Sequence, residues 1–296
     1  MASSTPRPYA PFTSRYGSLG ENGEWREAIE SYCEDRLEES FALAQALGAG
    51  FGGGALRWYR MIEGEALTRR TAKVESLEPW LSLEGNASEG DVDHETIREA
   101  CREVAGRLDW RYQMPVRVTV LLTEVDARWH GARYGYCVDK VPYDKICVPA
   151  RAAHDPRELG RVVAHEFTHA ITLNLTEKRI PHWLDEGLAM LMENAAPVPP
   201  REWLDPEPLN AAFEADRRDE AGLARSHDAY LQSHAIVRYL HRRKNDAGLA
   251  RLLRAFTNNG FWDEIKINLL GEPSAEEALR EVYGFGQREL FEAARP

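Results

Sequence analysis

Asp155-Pro156-Arg157-Glu158 is the strongest local instruction in this 296-residue chain. An Asp that can cap, a Pro suited to the first helical position and a Glu three residues after the cap together announce a helix. In this reading Glu158 reaches back to the cap residue, as in a capping box. The helix then carries His165-Glu166-Phe167-Thr168-His169. Residues four apart share a helix face, so both imidazoles can point at one ion about 2 Å from each nitrogen. Glu166 is rotated by about a third of a turn from His165, where it can hold a water bound to that ion and accept its proton. The competing reading is a helix that happens to carry two histidines. With 9 His and 48 Asp plus Glu in the chain, chance supplies about 0.04 such motifs, so the pattern is informative without being decisive alone.

A third ligand separates the two readings, and residues 181–194, PHWLDEGLAMLMEN, offer one. Pro181 starts a second helix, with Trp183, Leu184, Leu188, Leu191 and Met192 as its apolar face. Glu186 stands among them, and Gly187 beside it lets backbones pack close to an ion. A lone Glu on a helix is usually solvated; one flanked by this much apolar surface is better explained as a ligand. Glu193, two turns further along the same face, can accept the outer N–H of a ligating histidine.

The stretches HEFTHAIT and WLDEGLA resemble the gluzincin zinc metallopeptidases, the group that includes thermolysin and the aminopeptidase-N family, and in particular their compact, peptidase-MA-like members. The likeness covers roughly residues 116–243. It implies Zn2+ held by His165, His169 and Glu186, with Glu166 as general base. It also implies an oxyanion donor on the helix after the third ligand, for which AYLQSHAIVRYL (229–240) offers Tyr230 and His234. An edge strand before the active-site helix would pair with extended peptide, and ARYGYCV (132–138) occupies that place. Two departures stand out. The gap from His169 to Glu186 is slightly shorter than in the archetypes, and no Gly-x-Met-Glu-Asn segment is present to grip a free amino terminus. The second points to an endopeptidase. Metzincins are excluded because Leu175, not His, follows six positions after His169. The rival readings are a zinc hydrolase of a small amide or ester, and a regulatory protein that keeps the metal site without turnover. The retained Glu166 argues against the latter.

Charge narrows the partners. A net charge of −11 argues against a general nucleic-acid binder, which needs a basic face. No apolar run approaches the length of a membrane span. The opening MASSTPRPYAPF has no apolar segment of a secretory kind, so the expected location is cytoplasmic. A peptide or protein substrate is the expected partner. Cys33, Cys101, Cys137 and Cys147 lack Cys-x-x-Cys spacing and are expected to be free, mostly buried thiols.

The rest of the pattern sets the fold class. The first 20 residues read as an extended arm, residues 21–47 as one or two helices, the Gly run at 48–54 as a loop, and 83–93 as a linker. Asp93 can cap a helix with Ile97, Ala100, Cys101, Val104, Ala105 and Leu108 at helical spacing. Residues 116–124 read as a strand. RYGYCVD and YDKICVP read as a hairpin that sets Cys137 and Cys147 nearly opposite one another. Helices follow, including 181–194 and 227–243. The expectation is an α+β fold: a mainly helical N-terminal region of unknown role over 1–90, then a compact gluzincin-type catalytic domain over 91–296 with a small β-sheet and zinc-binding helices.

Overall fold

The computed structural model describes residues 23–47, 54–85, 92–111, 114–121, 135–139, 143–213, 220–256 and 275–295. Five strands form one sheet: β1 (Lys73–Glu78), β2 (Leu81–Gly85), β3 (Val116–Leu121), β4 (Tyr136–Asp139) and β5 (Asp144–Pro149), in the order β1-β2-β3-β5-β4. The β1–β2 and β4–β5 pairs are antiparallel, while β2–β3 and β3–β5 are parallel. The architecture is mixed helix and sheet with helix predominant, compatible with the α+β class. The expected arm and most of the Gly run lie outside the described residues.

The sheet crosses the boundary expected between residues 90 and 91, because β1 and β2 come from the N-terminal side of it. Part of the expected linker is therefore strand: Leu83, Glu84 and Gly85 pair with Glu75, Val74 and Lys73, and residues 86–91 lie outside the described segments. Period-2 alternation explains the sheet's two faces. Leu81, Leu83, Val116, Val118, Val120, Ile146 and Val148 point into the larger core, with helices α4 (His94–Arg107) and α6 (Pro156–Leu175). Their neighbours Leu121, Tyr136, Val138 and Cys147 face a second core under α1 (Gly23–Cys33), α2 (Leu37–Ala46) and α3 (Gly54–Arg69). The hairpin register pairs Tyr136 with Cys147 and Cys137 with Ile146. This corrects the expected juxtaposition of cysteines: a one-residue offset puts Cys137 and Cys147 on opposite faces. All four cysteines are free and buried.

Asp93 caps α4 as expected, its carboxylate accepting from the N–H groups of Glu95 and Thr96 at 3.0 and 3.1 Å. Asp155 likewise caps α6 by accepting from Arg157 N–H at 3.0 Å, with Pro156 at the helix start. The reciprocal half of the capping box is not made. The Glu158 carboxylate instead takes two charge-assisted bonds from Arg161, at 2.7 and 3.0 Å, and Asp155 N–H donates to Ala152 O. After the short α5 (Ala150–Ala153), α6 leads to α7 (His182–Met192), α8 (Pro206–Phe213), α9 (Glu220–Ala255), α10 (Glu276–Tyr283) and α11 (Gln287–Ala294). The backbone of α9 breaks at Lys244 and Asn245, where φ is −143° and 50°, which is where the helix expected over 227–243 ends. No helix among the described residues is long and apolar enough to cross a membrane.

Candidate metal centre

Helix α6 is buried along most of its length, and its two sides do different work. Phe167 stacks on Trp80 at 5.7 Å and meets Trp110 edge-on at 5.6 Å. Trp80 belongs to the β1–β2 turn, so the N-terminal hairpin helps seat the motif helix. On the other side, His165 and His169 project toward α7. That helix starts without a side-chain cap of its own; Asn210 of α8 supplies one by accepting from Trp183 N–H at 3.2 Å. Gly187 then lets α7 lie against α9. A Cβ there would sit 2.5 Å from Ser233 O, closer than any side chain can come.

These contacts bring His165, His169 and Glu186 together, the group among the described residues able to hold a metal ion. The two Nε2 atoms are 3.3 Å apart, and Glu186 Oε2 lies 3.5 Å from that of His165 and 3.6 Å from that of His169. A tetrahedral ion bonded at about 2.0–2.1 Å separates its donor atoms by about 3.3–3.4 Å. The triangle therefore has the size of three corners of such a site. Glu186 Oε2 is buried without a hydrogen-bond donor, an arrangement that is costly unless a cation fills it. The donor set, two imidazoles and one carboxylate, suits zinc.

Carboxylates also face the outer nitrogens of both rings. His165 Nδ1 is 3.6 Å from Glu193 Oε1, near the carboxylate but beyond hydrogen-bond distance. Glu193 Oε2 in turn accepts from Arg161 at 2.7 Å. His169 Nδ1 is 3.1 Å from Asp185 Oδ2, and Thr172 Oγ1 donates to the other oxygen of Asp185. Sequence reasoning missed Asp185. Its position next to Glu186 was visible, but its aim depends on how α7 crosses α6. Burial pushes the His169 imidazole down, yet Asp185 and Glu186, with help from Glu166, outweigh it and hold the group up at about 10. Burial likewise pushes Glu186 up, and the imidazoles of His169, His165 and His182 reverse this and hold it well below the carboxylate range. Without metal, the cup is an anionic environment that favours positive charge.

Glu166 is buried on the same helix, 4% exposed. Its side chain borders Gly135, the residue just before β4, where a Cβ would come within 3.0 Å of Glu166 Cγ. Among the described residues β4 is an outer strand of the sheet, next to β5, at the place expected to lie beside an extended peptide; residues 132–134 of that stretch fall outside the described segments. Of the two α9 candidates, Tyr230 reaches the cluster, its hydroxyl 3.5 Å from Glu186 Oε1. His234 is buried about one turn further along α9. A second residue missed from sequence is His182, whose Nε2 lies 3.4 Å from Glu186 Oε1. Its spacing of four from Glu186 on one helix was the available signal.

Comparison with models of known protein families, with curated proteins and with solved structures returned no match.

Proposed function

We propose that this protein is a zinc-dependent metallopeptidase, acting on internal bonds of a peptide or protein substrate. The observation that carries the reading is the triangle of His165 Nε2, His169 Nε2 and Glu186 Oε2, with sides of 3.3, 3.5 and 3.6 Å. A metal-only structural site commonly closes its coordination with a fourth protein ligand; three ligands with a carboxylate close by are the pattern of hydrolytic zinc sites. When bound, zinc supplies Lewis acidity, polarising a carbonyl and making water easier to deprotonate.

The chain's own residues would do the rest. His165 and His169 bind through Nε2 while Glu193 and Asp185 fix their rings from behind. Glu166, adjacent to His165 and buried, accepts the proton of the attacking water and passes it to the leaving amine. Glu166 is buried, 4% exposed, beside Gly135. β4, an edge strand among the described residues, would give an extended substrate backbone a ladder to pair with, and Gly135 would keep that ladder close to Glu166. His234 and Tyr230 are the candidates on α9 for donating to the oxyanion.

Purified protein is expected to bind about one zinc per chain and to cleave a quenched-peptide library at internal bonds. Glu166→Gln should retain zinc and fold while losing about 10²- to 10⁴-fold in turnover, because only the proton acceptor is gone. Wild-type turnover in that variant, or a zinc-loaded protein that hydrolyses small esters but no peptide, would sink the assignment.

A further inference from the structure

The two oxygens of Glu186 are treated differently by their surroundings. Oε2 is buried, has no hydrogen-bond donor, and sits nearly equidistant from both ligand imidazoles. Oε1 faces the opposite way, toward His182 Nε2 at 3.4 Å and Tyr230 OH at 3.5 Å. These are long contacts, and both donors are held where they can close on the oxygen. Phe213 packs against both rings, with centroids 4.4 Å from His182 and 5.0 Å from Tyr230. Asn210, on the same helix as Phe213, caps the first turn of α7 that carries His182. On the other side, the contact of Gly187 with Ser233 O fixes α9 within one turn of Tyr230. Three helices thus converge on one carboxylate oxygen that points away from the triangle.

We infer that His182 and Tyr230 are positioning residues: they hold Glu186 Oε1 and so commit this carboxylate to a cation through Oε2 alone. The inference rests on the zinc reading above and adds a role that reading does not need. A carboxylate left free can swing to give both oxygens to the ion, which takes up a position that water or substrate would occupy. Pinning Oε1 keeps the coordination number low. It also gives Tyr230 a duty different from donation to an oxyanion, and the two duties have different signatures. An oxyanion donor acts on kcat at full metal loading and leaves metal affinity alone. A residue that holds a ligand acts on metal affinity itself.

The test uses the full chain and zinc alone, with affinity read by competition against a chromophoric chelator. Tyr230→Phe and His182→Leu should each weaken zinc binding about 10-fold, and the double variant up to about 100-fold. His182→Gln keeps an N–H donor at the same reach and should recover most of the loss. X-ray absorption of the zinc-loaded wild type should show one carboxylate oxygen at bonding distance, and the double variant should gain a second. If His182→Leu fails to fold by circular dichroism, Tyr230→Phe carries the test, since it removes only a hydroxyl. Unchanged zinc affinity in Tyr230→Phe with a fall in kcat would overturn the inference in favour of an oxyanion role. Two-oxygen ligation in the wild type would overturn it as well. A wild type that takes up no zinc removes this inference together with the proposed function; a wild type that binds zinc as tightly as its variants removes the inference alone.

Discussion

The two faces of the sheet each bury a cluster of charged side chains, and the clusters are built on opposite principles. Behind the sheet, Lys145 is fully buried, with Nζ 2.6 Å from Glu65 and 3.0 Å from Glu84. Arg69 pairs with Glu84 and Asp35, and Tyr143 donates to Asp35 while Arg117 lies over its ring. Tyr32, Tyr136 and Cys147 donate to Glu65, and Thr119 donates to Glu84. Among the described residues, each of those carboxylates faces a cation of the same cluster. In front of the sheet, Glu166, Asp185, Glu186 and Glu193 surround two imidazoles, and Arg161 is the cation paired with one of them. Glu186 Oε2 is buried there with no hydrogen-bond partner among the described residues. The contrast separates a polar cluster whose carboxylates face cations from one that turns a buried carboxylate oxygen toward two imidazoles, the arrangement a metal cation would complete.

The largest effect should come from removing the cation at the centre of the back-face cluster. Lys145→Met leaves Glu65 and Glu84 buried without their shared cation, and is expected to cost about 3–5 kcal/mol of stability in denaturant unfolding at neutral pH. Zinc should not repair this loss. A change under about 1 kcal/mol would mean that Glu65 and Glu84 do not depend on Lys145 to stay charged and buried. The front face should respond to metal in a smaller but complementary way. Zinc at 100 times its dissociation constant should stabilise the wild type by about 2.7 kcal/mol, and Glu186→Ala should abolish that gain. Lys145→Met should keep it in full, because distant sites with no shared partner act additively. Loss of the zinc increment in Lys145→Met would show that the faces are coupled.

The smallest expected effect, and the one that sharpens the contrast, is in pH. Burial pushes Glu84 up, but Lys145 and Arg69 outweigh it and keep the group below its usual range. Its contribution is therefore present above the ordinary carboxylate value and is lost as pH falls through the lowered one. His169 has the opposite sign. Its charged form, held up at about 10 in the metal-free protein, contributes stability that is complete below the ordinary imidazole value and lost as pH rises through about 10. Zinc must displace that proton, so its affinity should rise about tenfold per pH unit between roughly pH 7 and 9. Chelator competition at three pH values measures the slope. A flat profile would mean that both ligand nitrogens are already free of protons.

Legibility in the sequence followed the range of the interactions. The start of α6 was readable because Asp155 and Pro156 act within one turn, and the histidine pair because helix geometry alone sets their common face. Glu186 was readable from its apolar flanks. The roles of Asp185 and His182 were not, since each depends on which helix crosses which, and no local pattern encodes a crossing. Lys145 is the sharpest case. In YDKICVP it alternates with apolar residues as a solvated strand position would, yet it is fully buried because α3 brings Glu65 over it. The strands β1 and β2 were read as part of a helical region and a linker for the same reason. β2 pairs with the distant β3, whose Val116 is opposite Leu81, and β1 pairs in turn with β2.

The order of strands has a consequence for how the chain is made. β5 is synthesised last of the five yet lies inside the sheet, between β3 and β4. During synthesis, β1, β2 and β3 can pair as they emerge, but β3 then offers an unfilled edge carrying Val116, Val118 and Val120. The roughly 28 residues between the end of β3 and the end of β5 take about 1 to 6 seconds to translate. For that interval the nascent chain carries an apolar edge of the kind that captures other strands. The residues of the candidate metal site are added later still, on α6 and α7, so a metal ion could not shorten the exposure. The arrival of β5 is what ends it.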